Sequence, residues 1–270
     1  MKQKSEIGIL GCGWLGKAVA KVLIEKGYKV KGSTTSSGGS QALIDIGVKP
    51  FVIHLKPQRP IPDLETFLSG LQGLIITIPP KIRQNGNQLA EAFEMVFKNY
   101  DFSGLKKLIY VSSTGVFEDG INVIYDEDSR PNNTSKRGQC LIDLEDIIAA
   151  QGQVKSVILR YGGLIKTGGR HPIHYLSGKK DIPNPDAPVN LIEQSDAVNL
   201  LCKIIERPLQ LKIYHGVYPS HPSRRVYYNH KSEELKLPPP EFSRAKTSVG
   251  KTILSAKTQA DLSFEFNSHI

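Results

Sequence analysis

Cysteine is scarce in this 270-residue sequence, and long apolar runs are missing. The three cysteines, Cys12, Cys140 and Cys202, lie far apart and are odd in number, which argues against a disulfide framework and a cysteine-based metal site. No run approaches the roughly 20 apolar residues that cross a bilayer. The first apolar run begins too early to leave room for a signal peptide. We therefore expect a cytoplasmic protein without a metal site or a membrane segment.

A recognisable nucleic-acid-binding motif is also missing, although the net charge is strongly positive. The chain carries 35 lysines and arginines against 26 acidic residues, a formal net charge of +9. These basic residues are scattered and form no stripe interleaved with aromatic side chains. We interpret the excess as a solvated surface that attracts phosphorylated small molecules rather than nucleic acid, and we expect a monomer or a homodimer.

A glycine-rich segment lies near the start of the chain: residues 7–16 read Ile-Gly-Ile-Leu-Gly-Cys-Gly-Trp-Leu-Gly. An apolar strand leads into Gly-x-Gly-x-x-Gly, and apolar residues at helical spacing follow. Gly11 would permit a tight turn, Gly13 would let the backbone approach a phosphate, and Gly16 would let helix and strand pack closely. This order predicts a site for the pyrophosphate of a dinucleotide, held by N–H groups at the helix N-terminus.

Strands alternate with helices along the first 165 residues. Six apolar runs predict the strands: 7–10, 28–31, 51–55, 74–78, 108–111 and 154–159. This alternation predicts an α/β fold, a Rossmann-type doubly wound parallel sheet flanked by helices. Beyond it, proline and histidine accumulate. We expect an NAD(P)-binding domain over residues 1–165 and a small substrate-covering lobe over residues 166–270, with the segment 189–206 packing back on the core.

The segment after the second strand lacks a carboxylate, because no acidic residue occurs between Glu25 and Asp45. An NAD-binding fold normally places Asp or Glu here to hold the ribose 2′-hydroxyl. Residues 32–39 supply hydroxyl groups and glycines instead, which suits a 2′-phosphate. We therefore expect NADP as the cofactor, with NAD as the alternative, since the arginine that often accompanies NADP is missing.

The carboxyl ends of the central strands should also border the cofactor. The residues expected to bind it are Gly11, Gly13, Trp14, Leu15, Gly16, Ser33, Thr34, Thr35, Ile78, Pro79, Pro80 and Ser112.

Five motifs spread over most of the chain carry a family resemblance. They are Gly11-Cys12-Gly13-Trp14-Leu15-Gly16, Ser112-Ser113-Thr114-Gly115-Val116-Phe117, Gly168-Gly169-Arg170-His171-Pro172, Val189-Asn190-Leu191-Ile192 with Asp196, and His221-Pro222-Ser223-Arg224. Together they resemble the extended short-chain dehydrogenase/reductase superfamily. More narrowly, they resemble its YeeZ-like branch of NAD(P)-binding epimerase or dehydratase relatives. The resemblance implies an oxidoreductase or epimerase acting on a small polar, sugar-like molecule.

The resemblance also implies chemistry at Ser113, which matches the superfamily's catalytic Ser/Thr. A hydroxyl there would hydrogen-bond the reacting oxygen of a substrate. The superfamily's acid/base tyrosine, with a lysine four residues later, is missing from the helix that begins near Gly138. His171, which as a histidine should titrate near neutral pH, is the second catalytic candidate, or else a loop residue fixed by Pro172. Lys136 and Arg137 lie nearest the vacant position.

The candidate substrate-binding residues are polar or basic and lie in these motifs or beside the vacant tyrosine position: Thr114, Arg137, Arg170, Asn190, His221 and Arg224. The missing tyrosine and lysine leave a second hypothesis open. The protein would then bind a dinucleotide without turnover and sense the redox state of the pool.

Overall fold

A parallel sheet of seven strands forms the centre of the computed structural model, which describes residues 5–57, 60–79, 88–152, 154–244, 247–268 and 270. The strands of this main sheet and of two smaller pairs are, in chain order, β1 (Glu6–Leu10), β2 (Lys29–Thr34), β3 (Lys49–Val52), β4 (Gly73–Ile76), β5 (Lys107–Ser113), β6 (Val123–Tyr125), β7 (Ser156–Tyr161), β8 (Gly163–Ile165), β9 (Leu191–Glu193), β10 (Ile213–Gly216) and β11 (Lys251–Ile253). The main sheet has the order β3-β2-β1-β4-β5-β7-β10, with all neighbours parallel. The order reverses between β1 and β4, so the sheet is doubly wound and the predicted fold class is confirmed.

Helices cover both faces of this sheet. They are α1 (Trp14–Glu25), α2 (Ser37–Ile44), α3 (Leu64–Leu68), α4 (Gln88–Asn99), α5 (Lys136–Ala149), α6 (Ile173–Leu176), α7 (Gln194–Glu206), α8 (Arg224–Glu234) and α9 (Ala256–Leu262). Serine side chains cap three of them, because Ser36, Ser135 and Ser223 accept backbone N–H groups at the starts of α2, α5 and α8. Within the described ranges, no helix is both long and apolar enough to cross a membrane.

Alternation along β5 separates two apolar cores. Ile109 points into the core that α1 and α7 cover, where it is buried with Leu23 and Leu201. Leu108 and Tyr110 point the other way, into the core beneath α4 and α5. Successive side chains of a strand leave opposite faces of the sheet, so the face that each strand-end side chain reaches follows from its place in this alternation.

The chain beyond residue 165 contributes to both the main sheet and a smaller lobe, whereas the sequence analysis assigned all of it except 189–206 to the lobe. β10 pairs with β7 and closes one edge of the main sheet, and Leu262 and Phe264 are buried in the core under α1. The four residues of β10, Ile-Tyr-His-Gly, have no strand pattern of their own. Their extended conformation depends on pairing with β7, which a local pattern does not reveal.

The smaller lobe has an apolar core of its own. α6 and α8 pack against the β8–β9 pair, and Ile173, Tyr227 and Leu191 are buried together between them. A second short pair, β6 with β11, lies beside the segment that follows β5. The lobe thus starts at the carboxyl edge of the main sheet, where β7 leads into β8.

A buried ion pair links α5 to β7. The Arg160 guanidinium donates to both carboxylate oxygens of Glu145 at 2.7–3.2 Å, and both side chains are almost fully buried. Charges removed from water require a partner. This pair therefore fixes the position of α5 relative to the end of the sheet.

We expect Glu145→Gln to lower the free energy of unfolding by about 3–5 kcal/mol, because Arg160 would remain buried without a counter-charge. Chemical denaturation measures the loss. Glu234→Gln is the control, since Glu234 pairs with Lys231 on the surface and should contribute less than about 1 kcal/mol. Equal losses in the two variants would refute the importance of the buried pair.

Candidate functional site

The turn between β1 and α1 is tied to both neighbouring strands. Gly11 has a φ of +103°, a backbone conformation that L side chains rarely adopt. Its N–H donates to Ser33 Oγ at 2.8 Å, and its carbonyl accepts from Thr77 Oγ1 at 2.5 Å. A Cβ at Gly11 would lie 2.7 Å from Ile78 Cγ1. The ends of β2 and β4 therefore hold the turn, and there is no room for a side chain.

The other two glycines of the motif have different surroundings. A Cβ at Gly16 would lie 2.7 Å from the Gly11 carbonyl oxygen, so α1 approaches the turn too closely for a side chain. A Cβ at Gly13 would meet nothing within 4 Å. Gly13 therefore borders open space directly before α1 begins.

The N-terminus of α1 has no side-chain cap among the described residues. Its first turn contains no acidic residue. The first N–H groups of a helix lack partners within the helix and attract anions. Unlike α2, α5 and α8, α1 thus presents uncapped donors beside the open space at Gly13. These residues fit the pyrophosphate of a dinucleotide.

Trp14 and Leu15 begin α1 and differ in exposure. Leu15 is buried in the core, whereas Trp14 is half-buried and its carbonyl accepts from Gln194 Nε2 at 3.3 Å. Their backbone N–H groups lie in the first turn of α1, and of the two side chains only that of Trp14 is partly exposed.

The hydroxyl groups at the carboxyl end of β2 differ in exposure, and one of them supports the glycine turn. Ser33 is 3% exposed and its Oγ accepts the Gly11 N–H, so it holds the glycine turn rather than facing a 2′-phosphate. Thr34 is half-buried at the strand end, and Thr35 is exposed beyond it. The expectation that Ser33 contacts the phosphate is therefore corrected, because its side chain points into the fold.

Residues after β4 lie beside the glycine turn, as expected from the switch point between β1 and β4. Ile78 is half-buried and would contact any side chain at Gly11, and Pro79 is exposed. Pro80, the third residue expected here, lies outside the described residues.

Strand alternation at the end of β5 separates the two serines. Ser112 is buried and donates to Glu145 Oε1 at 2.6 Å, so it points toward α5 and away from the cofactor face. The expectation that Ser112 binds the cofactor is therefore corrected. Ser113 is half-buried on the face that α1 covers, and its Oγ accepts the Gly115 N–H at 3.1 Å. Among the described residues, the Ser113 O–H has no hydrogen-bond acceptor. Thr114 is buried at the start of a 3₁₀ turn.

A buried network missed by the sequence analysis supports this serine turn. From Ser112 it passes through Glu145 to Arg160, whose guanidinium lies 5.0 Å from the centre of the Phe117 ring. Phe117 stacks on Tyr125, with 4.4 Å between ring centres. In the sequence, this network is indicated by Glu145, a carboxylate within the apolar stripe of α5.

His171 does not have the properties of a neutral-pH proton shuttle. The Ile173 N–H donates to its Nδ1 at 3.0 Å, so Nε2 carries the proton and faces the Tyr227 hydroxyl at 2.9 Å. Burial lowers the pKa of His171 to about 4. The expected titration near neutral pH is therefore wrong. Both ring nitrogens are engaged within the lobe, and no contact among the described residues joins His171 to Ser113.

Three of the expected substrate ligands hold the lobe together instead. Asn190 donates to the Lys251 carbonyl at 2.7 Å and accepts from the Ile253 N–H at 2.9 Å, so it fixes β11. Arg224 Nη1 donates to the Pro183 carbonyl at 2.6 Å. His221 Nδ1 lies 3.1 Å from the Val189 carbonyl oxygen, and burial lowers the pKa of the ring. The sequence shows which side chains are polar, but not that the backbone uses them.

Two arginines remain available. Arg137 is exposed in the first turn of α5, next to the exposed Lys136. Arg170 is exposed on the loop between β8 and α6, and its guanidinium lies 5.3 Å from the centre of the Trp14 ring. Of the expected substrate ligands, Arg170 is therefore the one that the fold brings to the glycine turn.

Comparisons with known proteins bear on this site. No protein-family model matches the chain. YeeZ from Escherichia coli strain K12 is 28% identical over 265 residues, which cover 97% of this chain and 95% of YeeZ. The similarity therefore spans both proteins almost from end to end.

Solved structures share the fold. A short-chain dehydrogenase/reductase superfamily protein from Agrobacterium tumefaciens with bound NAD matches with a TM-score of 0.79 at 15% identity, covering 98% of this chain and 93% of that one. A UDP-glucose 4-epimerase from Thermotoga maritima with UDP-glucose matches with a TM-score of 0.75 at 14% identity, covering 98% and 94%. The fold is thus that of NAD-binding epimerases and dehydrogenases. This shared fold and the similarity to YeeZ agree with the resemblance in the motifs: the chain is similar to YeeZ over nearly its whole length and has the fold of the extended short-chain dehydrogenases/reductases.

Proposed function

We propose that the chain binds a nicotinamide dinucleotide at the β1–α1 turn and uses it as an oxidoreductase or epimerase on a small polar substrate. One observation carries the proposal. The uncapped N-terminus of α1 adjoins open space at Gly13, while Gly11 and Gly16 admit no side chain. An anion at that position would accept hydrogen bonds from the backbone N–H groups that no described side chain caps.

The edge of the sheet beyond this turn favours NADP over NAD. Thr35 is exposed after β2, and no carboxylate follows that strand before Asp45. Thr34 lies opposite Val52 in the pairing of β2 with β3, and the exposed His54 and Lys56 follow β3. A hydroxyl group and a basic side chain at this edge suit a 2′-phosphate, which a carboxylate would repel.

Ser113 is the proposed substrate-binding group for the chemical step. Its oxygen accepts from Gly115, so the O–H can donate to a carbonyl or hydroxyl oxygen of the substrate. A bound nicotinamide would supply the hydride donor or acceptor. The UDP-glucose in the Thermotoga epimerase supports a sugar-like substrate, because that protein shares the fold over nearly the whole chain.

The first turn of α5 supplies positive charge in place of the missing tyrosine. Lys136 and Arg137 are exposed there. Arginine remains protonated and can stabilise an oxyanion, but it is a poor proton shuttle. We therefore assign Arg137 to substrate binding. The proton of the chemical step would be transferred by a group of the substrate itself or by water.

A second candidate function, dinucleotide binding without turnover, is favoured by the face of α5 next to the serine turn. That face carries Leu141, which is buried with Val116 and Phe117 rather than offering a polar group. A protein of this kind would bind the cofactor and report the redox state of the pool.

Gly13→Val should abolish or strongly weaken dinucleotide binding, because its side chain would fill the space beside the α1 N-terminus. Calorimetry with NADP and NADPH measures the affinity. Gly152→Val is the matched control: Gly152 also borders open space, but it lies on a surface turn far along the chain. Unchanged affinity in a folded Gly13→Val variant would contradict the proposed site.

NADP(H) should bind at least tenfold more tightly than NAD(H), a difference of about 1.4 kcal/mol. Thr35→Asp should reverse this order by repelling the 2′-phosphate. Thr66→Asp, which adds the same charge at the exposed Thr66 of α3, should leave the order unchanged. A tenfold preference of the native protein for NAD(H) would refute the assignment to NADP.

Ser113→Ala should lower turnover by about 10²-fold or more and leave cofactor affinity unchanged, because it removes a donor to the reacting oxygen. His171→Gln should retain most of the turnover. Since the pKa of His171 is about 4, its protonated form is absent above pH 6 and the pH–rate profile should show no limb from it between pH 6 and 7. If a broad substrate screen finds no turnover in a protein that binds the dinucleotide, the second candidate function is favoured.

A further inference from the structure

The loop between β8 and α6 is built to present Arg170. The Lys166 N–H donates to the Arg170 carbonyl at 2.7 Å, and the Gly169 N–H donates to the Lys166 carbonyl at 3.0 Å. Gly168 has a φ of +67°, which closes the turn. The backbone of the loop is thus fixed, while the Arg170 side chain projects from it.

The Arg170 guanidinium is held by a ring and not by an acid. It lies 5.3 Å from the centre of the Trp14 indole, a distance typical of a cation–π contact. Arg170 forms no ion pair or hydrogen bond with its side chain among the residues that the structure describes. A contact with a ring uses none of the hydrogen-bond acceptors that a guanidinium can bind, so the N–H donors of Arg170 remain available to an anion.

Trp14 connects this arginine to the glycine turn. It is the first residue of α1, it follows Gly13 directly, and Gln194 of α7 anchors its carbonyl. The guanidinium therefore contacts the side chain of the first residue of α1, at the helix end that no described side chain caps. Positive charge from the lobe and the positive end of α1 converge on one place.

We propose that Arg170 binds the pyrophosphate of the dinucleotide, with the Trp14 ring as the surface that orients it. This assigns Arg170 to the cofactor rather than to the substrate, and it rests on the proposed function because the pyrophosphate must occupy the α1 N-terminus. A planar guanidinium can donate two parallel hydrogen bonds to phosphate oxygens. Arg170 thereby makes the lobe part of the cofactor site.

The test measures binding of ADP-ribose, which has the pyrophosphate but no nicotinamide. Trp14 is the one tryptophan of the chain, so its fluorescence reports the titration directly. Arg170→Gln should weaken ADP-ribose binding about tenfold or more and should make the affinity less sensitive to salt. Arg170→Lys should recover only part of the loss, because an ammonium keeps the charge but not the planar donor pair.

Lys166→Gln is the matched control, since it removes the same charge from the same exposed loop. It should bind ADP-ribose within about twofold of the native protein. Suppose that the native protein binds ADP-ribose and that Gly13→Val abolishes this binding. Equal affinities of Arg170→Gln and Lys166→Gln for ADP-ribose would then overturn the role of Arg170 and leave the proposed function standing. UDP serves as a probe of the substrate site and is titrated with NADP bound. If Arg170→Gln weakens the binding of UDP but not that of ADP-ribose, the proposal is also overturned and Arg170 belongs to the substrate site. No ADP-ribose, NADP or NAD binding by the native protein would refute the proposed function itself.

Discussion

The hydrogen bonds that close the glycine turn are the constraint on which the site depends. Ser33 from β2 accepts the Gly11 N–H, and Thr77 after β4 donates to the Gly11 carbonyl. They hold together three adjacent strand ends on either side of the point where the sheet reverses its order. With this turn fixed, α1 begins directly behind Gly13, and its N-terminus faces the opening that the switch point creates.

The carboxyl end of β5 shows how burial divides chemistry from support. Ser112 and Ser113 are neighbours in the chain, yet Ser112 belongs to a buried chain of polar contacts with Glu145 and Arg160. Ser113 lies on the opposite face, where its O–H has no acceptor in the part of the chain that the structure describes. A buried ion pair needs every partner satisfied, so the serine that stabilises it is not available to a ligand. The half-buried neighbour, Ser113, then remains the group that we propose for the substrate.

The lobe shows the same division. Asn190 and Arg224 bind backbone carbonyls and hold the lobe in place, and His171 is half-buried and hydrogen-bonded between Tyr227 and the start of α6. Arg170, one residue before His171, is instead exposed and makes a cation–π contact with the Trp14 ring. Arg170 and His171, two neighbouring residues of one motif, thus serve different purposes: His171 holds the lobe together, and Arg170 contacts α1. The motif as a whole marks where the lobe meets α1 of the main domain, not which side chain binds a ligand.

The sequence by itself determined the doubly wound sheet and the glycine turn, because both depend on neighbours in the chain. Apolar periodicity sets strands and helices, and the conformation at Gly11 requires a residue without a Cβ. Tertiary structure decided the rest. Whether Ser33 faces a ligand, whether His171 titrates, and whether β10 extends the sheet depend on contacts with residues far along the chain. Burial and hydrogen-bond partners across such distances arise only when the chain has folded, so a local pattern does not contain them.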